Sequence, residues 1–211
     1  MKKGLLGILV GFILLACGDG NVVVQVDPDI QRTKDSIAIA EYLYMKGFLD
    51  EEIGNTTNGV RYVILDSGSS VQAERIDESD HVDFNYIGKT LGDTIFDTSI
   101  QELGDSLKQH YEENPYITDT GDTVAVFTRL EYEPWFITYS ASGWSIPTGQ
   151  GGFIHGFAEG IAATFKYMGL EGKVLIVIPS GLAYGSSRAG VFIDPNTPIA
   201  FELYPIKLTK Q

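Results

Sequence analysis

Hydrophobic and polar residues alternate along several segments of the chain in the way that predicts half-buried β-strands. GVRYVIL at 59–65 alternates and is rich in β-branched and aromatic residues. In the next such segment, Val82, Phe84 and Tyr86 fall on one face and the polar residues between them fall on the other. TIFD at 94–97 follows after a tight LGD connection. These patterns predict antiparallel strands with one buried face.

The segment from Ile30 to Leu49 has helical rather than strand periodicity. Apolar side chains recur there at spacings of three and four, at Ile37, Ala40, Tyr44 and Phe48. We predict a short helix that packs this face on the main domain. The alternative is that the same face is a surface for self-association.

A second helical pattern lies in the C-terminal third of the chain and is followed by two strands. We predict a helix from about 157 to 168, closed by Gly169, because apolar side chains recur at Ile154, Phe157, Ile161, Phe165 and Met168. KVLIVI at 173–178 is typical of a buried strand. IAFELYPIKL at 199–208 predicts a final strand at or near a sheet edge, because Pro205 cannot donate a ladder hydrogen bond. The total is an α+β fold with five or six strands and one core helix on one face of the sheet.

Residues 100–143 interrupt this pattern. An acidic, polar stretch comes first, and the apolar and aromatic stretch TVAVFTRLEYEPWFITYSASG follows it. A connection of this length usually has its own structure or a function. We predict a helical or loop excursion followed by a returning strand. Its aromatic residues either pack on the edge of the sheet, which we favour, or bind a partner.

The first residues of the chain form a targeting segment. Lys2 and Lys3 precede an apolar run at 4–16 that is shorter than the ~20 residues of a membrane span. The run ends in LLAC, and Cys17 is the only cysteine of the chain. This resembles a bacterial lipoprotein signal, which implies a signal peptide at 1–17, lipidation of Cys17 and a polar tether at 18–29. The alternative is a plain secretory signal with an incidental cysteine.

Composition and charge narrow the range of partners. Of the 211 residues 44% are hydrophobic and 20% are charged, which is ordinary for a globular protein. The formal net charge is −13. Because phosphate backbones are bound by clustered Lys and Arg, this charge argues against a nucleic-acid partner. It also argues against simple adsorption to anionic lipid.

The common catalytic and cofactor motifs do not fit the sequence. His81, His110 and His155 lack metal-ligand spacing. GQGGFIHG is not a dinucleotide fingerprint, because the third glycine is missing and the motif precedes a buried strand. We therefore expect no metal or cofactor. The remaining signal is a density of aromatic residues near glycine turns, which indicates an apolar cavity with few polar groups.

Five segments in a fixed order resemble the FKBP-type peptidyl-prolyl isomerases. They are NYIG, TIFDTS, FIHGFAEG, IPSGLAYG and IDPNTPIAFEL, and the similarity covers roughly 59–99 and 144–209. The resemblance implies a curved antiparallel sheet wrapped around one short helix, with the cavity between them. It also implies an isomerase domain at 57–211 that carries the insertion at about 100–143, preceded by an N-terminal helical segment at 30–56.

The resemblance implies a role for individual residues of the cavity. Residues expected to take part in catalysis are Tyr86, Phe96, Asp97, Tyr184 and Phe201. Residues expected to bind the substrate are Trp144, Phe153, Ile154, Phe157, Phe192 and Ile193. In this arrangement Asp97 places a carboxylate at the rim, Phe157 forms the floor and Tyr184 directs its hydroxyl at the substrate carbonyl.

The implied activity is rotation of X-Pro bonds in exported proteins, with proline-containing polypeptides as clients and rapamycin-like macrolides as possible ligands. Phe157 stands where the best-known members carry Trp, so macrolide affinity is expected to be lower. The alternative is a peptide-binding chaperone or assembly lipoprotein with weak or no turnover. The lipoprotein signal, N-terminal helix and insertion resemble FKBP lipoproteins of Bacteroidota. Together they imply an anchor at Cys17 in the outer membrane, facing the periplasm.

Overall fold

The structure, a computed structural model, describes residues 27–77, 79–140, 143–145 and 154–211. The predicted signal peptide with Cys17, most of the tether and Phe153 lie outside these residues. The α-helices are Pro28–Met45 (α1), Gln101–Glu113 (α2) and His155–Thr164 (α3). Short 3-10 helices span Asp50–Glu52, Gln72–Glu74, Phe165–Tyr167 and Ser180–Leu182. None of the described helices is long and apolar enough to cross a membrane.

Eight of the ten described strands form one antiparallel sheet. The strands are Gly54–Asn55 (β1), Arg61–Asp66 (β2), His81–Thr90 (β3), Ile95–Thr98 (β4), Tyr116–Ile117 (β5), Thr123–Val124 (β6), Trp135–Ser140 (β7), Gly143–Ser145 (β8), Lys173–Ile178 (β9) and Ile199–Thr209 (β10). The sheet order is β1-β2-β9-β10-β3-β7-β8, β4 also pairs with β3, and β5 and β6 form a separate hairpin. The predicted α+β class is confirmed. The sheet exceeds the predicted five or six strands, and β1 and β8 are too short to show an alternating pattern.

Helix α3 packs on one face of the sheet through the side chains that its periodicity indicates. Phe157, Ile161 and Phe165 are at most 1% exposed and belong to the main core. The helix lies close to β9, since a Cβ added at Gly160 would lie 2.3 Å from Cγ2 of Ile176. Only glycine allows this approach without displacing the Ile176 side chain.

Strand β9 is buried on both faces, which explains its continuous run of apolar residues. Ile176 and Ile178 belong to the core beneath α3, whereas Leu175 and Val177 belong to a second core beneath α1. The sheet therefore lies between two helices, α3 on one face and α1 on the other.

Helix α1 exists as predicted, but the buried face predicted for it was wrong. Of the four residues named, Phe48, beyond the end of the helix, does pack on the second core. Ile37 and Tyr44 are 56% and 80% exposed, and Ala40 is exposed as well. The helix packs through Ile39, Tyr42 and Leu43 instead, which are at most 3% exposed. Both sets of residues recur at helical spacing, so periodicity alone cannot select the face that the sheet covers.

Strand β10 is central in the sheet, so the prediction that it lies at or near an edge was wrong. It pairs with β9 through Leu203 and with β3 along most of its length. Pro205 comes after the last residue paired with β9, so its missing N–H falls where that neighbour has ended. The pairing with β3 continues across an irregularity between Pro205 and Lys207.

One edge of β3 is divided between two partners. Residues 81–84 pair with β7 and residues 87–89 pair with β4. Tyr86 lies between these two stretches. The insertion leaves the sheet at this division, forms α2 and the β5–β6 hairpin, and returns as β7. The predicted excursion, which is helical, and the predicted returning strand are confirmed.

Candidate functional site

The floor of the candidate site is a cluster of aromatic rings between the sheet and α3. The ring centroid of Phe157, which is 1% exposed, lies 4.8 Å from that of Phe201 and 5.7 Å from that of Trp135. The rings of Phe84 and Tyr86 lie 6.1 and 6.5 Å from Phe157. Several of these contacts are edge-on, which is a favourable geometry for aromatic pairs. The cluster provides a dry, rigid apolar surface.

The polar rim of the site is centred on Asp97. Its Oδ2 accepts a hydrogen bond from the Tyr86 hydroxyl at 2.9 Å. Its Oδ1 accepts hydrogen bonds from the Arg129 guanidinium and, at 2.8 Å, from the Thr98 backbone N–H. Burial raises the pKa of the Tyr86 phenol, and the nearby Arg129 charge opposes that rise only in part. The phenol therefore stays protonated at neutral pH and donates to the carboxylate.

The residues after Asp97 satisfy the backbone of Tyr86 where β3 changes partner. The Tyr86 N–H donates to Oγ of Ser99 at 2.9 Å. The Tyr86 carbonyl accepts from the Ser99 N–H and from the Thr98 hydroxyl. Phe96, on the same short strand, packs edge-on against Phe201 at 5.6 Å. The FDTS segment thus supplies a wall ring, the rim carboxylate and the hydrogen bonds that hold Tyr86.

Tyr184 is presented by the turn that follows β9. The Ser180–Leu182 3-10 helix starts the turn, and the Gly185 N–H closes it by donating to the Ser180 carbonyl at 2.8 Å. Tyr184 is 37% exposed, and partial burial raises the pKa of its phenol. Among the described residues its hydroxyl has no hydrogen-bond partner, so it is available as a donor to a ligand.

Two further predicted residues lie against the aromatic cluster. Ile154 caps the N-terminus of α3 and packs on the main core, while its neighbour Phe153 lies outside the described residues. Ile193 is 2% exposed and belongs to the same core as Tyr86 and Phe157. Both therefore line the apolar region rather than its polar rim.

The insertion covers the loop that carries Phe192. The Phe192 ring lies 5.3 Å from Tyr116, 5.6 Å from Tyr111 and 6.2 Å from Phe127. The Tyr116 hydroxyl also donates to the Val191 carbonyl at 3.2 Å. A cavity of about 430 Å³ lies along this contact. The aromatic residues of the insertion thus pack on the domain, at the loop beside the site, and Phe192 lies between them and the core.

Two residues of the site were missed by the sequence analysis. Trp135 occupies the wall beside Tyr86, with ring centroids 4.5 Å apart, and Arg129 pairs with Asp97 at the rim. Trp144, predicted as a wall residue, lies on β8, which β7 separates from β3. Its side chain is outside what the structure describes. The sequence could have indicated Trp135, because it alternates with Ile137, which is 1% exposed, so both side chains point to the same buried face of the strand.

The structure brings most of the predicted residues to one place. Those in the aromatic cluster or on its rim are Tyr86, Phe96, Asp97, Ile154, Phe157, Tyr184, Ile193 and Phe201. An apolar floor with a hydroxyl donor and a carboxylate at its rim suits a small apolar group whose neighbour carries a carbonyl.

Comparison with known proteins gives a family match over most of this region. Residues 72–204 match FKBP_C, the FKBP-type peptidyl-prolyl cis-trans isomerase family. No curated protein sequence matches the chain.

Solved structures of this kind are similar at low sequence identity. A peptidyl-prolyl cis-trans isomerase from Pseudomonas syringae is 18% identical, with a TM-score of 0.48, over 88% of this chain and 98% of that one. FkpA from Escherichia coli is 20% identical, with a TM-score of 0.44, over 86% of this chain and 63% of that one. AtFKBP13 is 20% identical, with a TM-score of 0.45, over 75% of this chain and 99% of that one.

Proposed function

The chain belongs to the FKBP-type peptidyl-prolyl cis-trans isomerase family, and from this premise we propose that its aromatic pocket rotates X-Pro bonds in exported polypeptides. The observation that carries the proposal is the position of the buried Phe157 ring cluster directly beside the Tyr86–Asp97 rim. This arrangement pairs a dry floor for a proline ring with polar groups for the adjoining peptide.

The chemistry of the bond explains why such a pocket is sufficient. Rotation about the amide C–N bond meets a barrier of ~20 kcal/mol because resonance is lost in the twisted state. The planar amide is more charge-separated than the twisted one, so water stabilises the planar form more strongly. A pocket that excludes water therefore favours the twisted state relative to the planar one, which lowers the barrier.

The residues around the cluster take distinct parts in this proposal. The proline ring packs on the aromatic cluster that Phe157, Tyr86 and Phe201 form. Tyr184 donates to the substrate carbonyl; burial raises the pKa of its phenol further above neutral pH, so the donor proton is retained. Asp97 holds the Tyr86 ring in place through the hydrogen bond between them. The backbone N–H of Ile154, at the start of α3, donates to a second carbonyl of the peptide.

A prolyl-isomerisation assay on the full chain in mild detergent tests the proposal, with a Leu-Pro peptide as substrate. We expect acceleration that rapamycin inhibits, weakly because Phe157 replaces the usual Trp. Tyr184→Phe removes one hydrogen bond to the reacting group, so we expect kcat/KM to fall by about tenfold. Asp97→Ala should lower it as well. Tyr44→Phe is the matched control, because Tyr44 is 80% exposed on α1.

A folded wild-type protein that does not accelerate isomerisation would contradict the enzymatic proposal. In that case, binding of proline-containing peptides and suppression of aggregation of an unfolded client would support the chaperone alternative. The packing of Tyr111 and Tyr116 of the insertion on the Phe192 loop does not favour that alternative.

The N-terminal segment supports a proposal about location. Acylation of Cys17 would bury hydrocarbon in the membrane and hold the isomerase at the cell envelope, on the outer membrane facing the periplasm. Wild-type protein expressed in bacteria should incorporate labelled fatty acid and sediment with outer membranes. Cys17→Ser should lose the label and enter the soluble fraction. Unlabelled wild-type protein would rule out the anchor.

A further inference from the structure

Asp35 of α1 is a buried carboxylate that contacts the turn carrying Tyr184. It is 2% exposed, and its Oδ2 accepts hydrogen bonds from both the backbone N–H and the hydroxyl of Ser180, at 2.8 and 2.7 Å. Ser180 is itself 1% exposed. A carboxylate is costly to bury, so its partners must be matched to it in position as well as in number.

The contact between Asp35 and Ser180 is part of a ring of hydrogen bonds that connects α1 with the turn carrying Tyr184 and with the loop containing Asn196. Gln31, one turn before Asp35, donates to its Oδ1 at 2.6 Å and to the Asn196 carbonyl at 3.0 Å. The Asn196 N–H donates to the Gly185 carbonyl, and the Gly185 N–H donates to the Ser180 carbonyl. Helix α1 is therefore bonded directly to Ser180, at one end of the turn that contains Tyr184, and to Asn196 in the loop that follows Ile193. Asn196 in turn bonds Gly185 at the other end of the turn.

Apolar packing already attaches α1 to the sheet through Ile39, Tyr42 and Leu43. Another apolar contact would add to that attachment without removing a carboxylate from water. What the carboxylate adds is direction, because its two hydrogen bonds fix the orientation of the Ser180 backbone and side chain together. Tyr184 lies four residues further along, within the turn that Ser180 and Gly185 close.

We propose that Asp35 is a positioning residue for isomerisation, and that α1 is for this reason a working part of the isomerase site. The inference rests on the proposed function, in which the Tyr184 hydroxyl contacts the substrate. Small displacements of such a group cost large factors in rate, because catalysis depends on its alignment with the reacting bond.

Three variants of the full chain test the proposal in the isomerisation assay. Asp35→Ala removes both hydrogen bonds to Ser180, and we expect kcat/KM to fall by about tenfold, a loss comparable to that of one misaligned donor. Asp35→Asn keeps one acceptor oxygen for Ser180 and should lose less. Glu41→Gln, an exposed carboxylate-to-amide change on the same helix, should leave the activity unchanged.

A double-mutant cycle separates positioning from general destabilisation. If Asp35 acts through Tyr184, Asp35→Ala should cause little further loss of kcat/KM when Tyr184→Phe is already present. If the loss of kcat/KM in the double variant equals the product of the losses in the two single variants, the proposal is overturned. Wild-type activity in Asp35→Ala would overturn it as well.

Amide hydrogen exchange measures the order of the turn that carries Tyr184 without relying on the isomerisation assay. Asp35→Ala should speed exchange of amides 180–185 relative to those of β9, whereas Glu41→Gln should not. If Asp35→Ala does not fold, Ser180→Ala removes one of the two hydrogen bonds and replaces it in both measurements. If the wild-type protein is inactive, the proposed function fails. Independently of activity, unchanged exchange at 180–185 in Asp35→Ala would show that Asp35 does not hold this turn, and would overturn the proposal.

Discussion

At the scale of single residues, the polar groups of Tyr86 explain the residue types around it. Its N–H, carbonyl and hydroxyl are bonded by Ser99, Thr98 and Asp97, which lie at the end of β4 and directly after it. A buried polar group without a partner destabilises a protein by about 1–3 kcal/mol. The F-D-x-S pattern thus supplies hydrogen-bond partners for Tyr86 at the point where the neighbour of β3 changes from β7 to β4.

Gly88, two residues after Tyr86, gives the first prediction. A Cβ there would lie 2.7 Å from Phe96 and 2.9 Å from Phe201, so Gly88→Ala forces both wall rings to move. We expect a loss of about 1–3 kcal/mol in the free energy of unfolding, as for other overpacked sites, together with lower kcat/KM. Denaturant unfolding and the isomerisation assay measure the two effects.

Gly92→Ala is the control for this substitution. Its added Cβ would be 3.7 Å from the Thr90 hydroxyl, an ordinary contact. Equal stability and activity of the two variants would show that the wall rings do not depend on close approach to the backbone at Gly88.

At the scale of elements, a charged cluster joins the three central strands on the side away from the site. Glu202 of β10 contacts Lys89 of β3 and Lys173 of β9, and it accepts a hydrogen bond from the Tyr204 hydroxyl. Burial raises the pKa of the Glu202 carboxyl, but these donors outweigh that effect and hold the pKa at about 2. The cluster therefore stabilises the folded sheet in the ionised form of Glu202.

The second prediction is a pH dependence of stability. Because the folded pKa lies below the ordinary value of 4.5, the contribution of Glu202 is complete above about pH 4.5 and is lost as the pH falls toward 2. Glu202→Gln should lower stability at pH 7 and flatten the acid limb between pH 4.5 and 2. Urea unfolding across this range measures it.

Glu51→Gln, at an exposed carboxylate, provides the reference curve for this experiment. Parallel acid limbs for wild type and Glu202→Gln would mean that the cluster does not contribute through the charge of Glu202.

At the scale of the whole molecule, the sheet has a core on each face. One lies under α3 and contains the aromatic floor, and the other lies under α1 and contains Leu43. Since β9 contributes side chains to both, loss of either core weakens a strand that the other also needs. We therefore expect α1 and the isomerase domain to unfold together.

The third prediction tests this coupling. Leu43 is fully buried, so Leu43→Ala should lower the free energy of unfolding by about 2–5 kcal/mol, with a single transition shared by all probes. Tyr44→Ala, at the next and 80% exposed position, should change it by no more than about 0.5 kcal/mol. An early, separate transition of α1 in Leu43→Ala would show that the helix is an independent appendage.

The sequence by itself determined the features that depend on local pattern. Alternation placed Val82, Phe84 and Tyr86 on the buried face of β3, and helical spacing placed Phe157 and Ile161 on the buried face of α3. The ordered motifs identified the family. These signals are reliable because side-chain direction in a strand or helix follows from the backbone repeat.

Only the tertiary structure decided the features that depend on which distant segments meet. Periodicity allowed two faces of α1, and the sheet covers the one with Ile39 and Leu43. Pro205 indicated an edge, yet β10 is central, and the proline is tolerated because the pairing with β9 ends before it. Trp135 and Arg129 reach the site after a long excursion, and Asp35 meets Ser180 across 145 residues. Such contacts arise when one shared core is buried, a condition on the whole chain that no local repeat records.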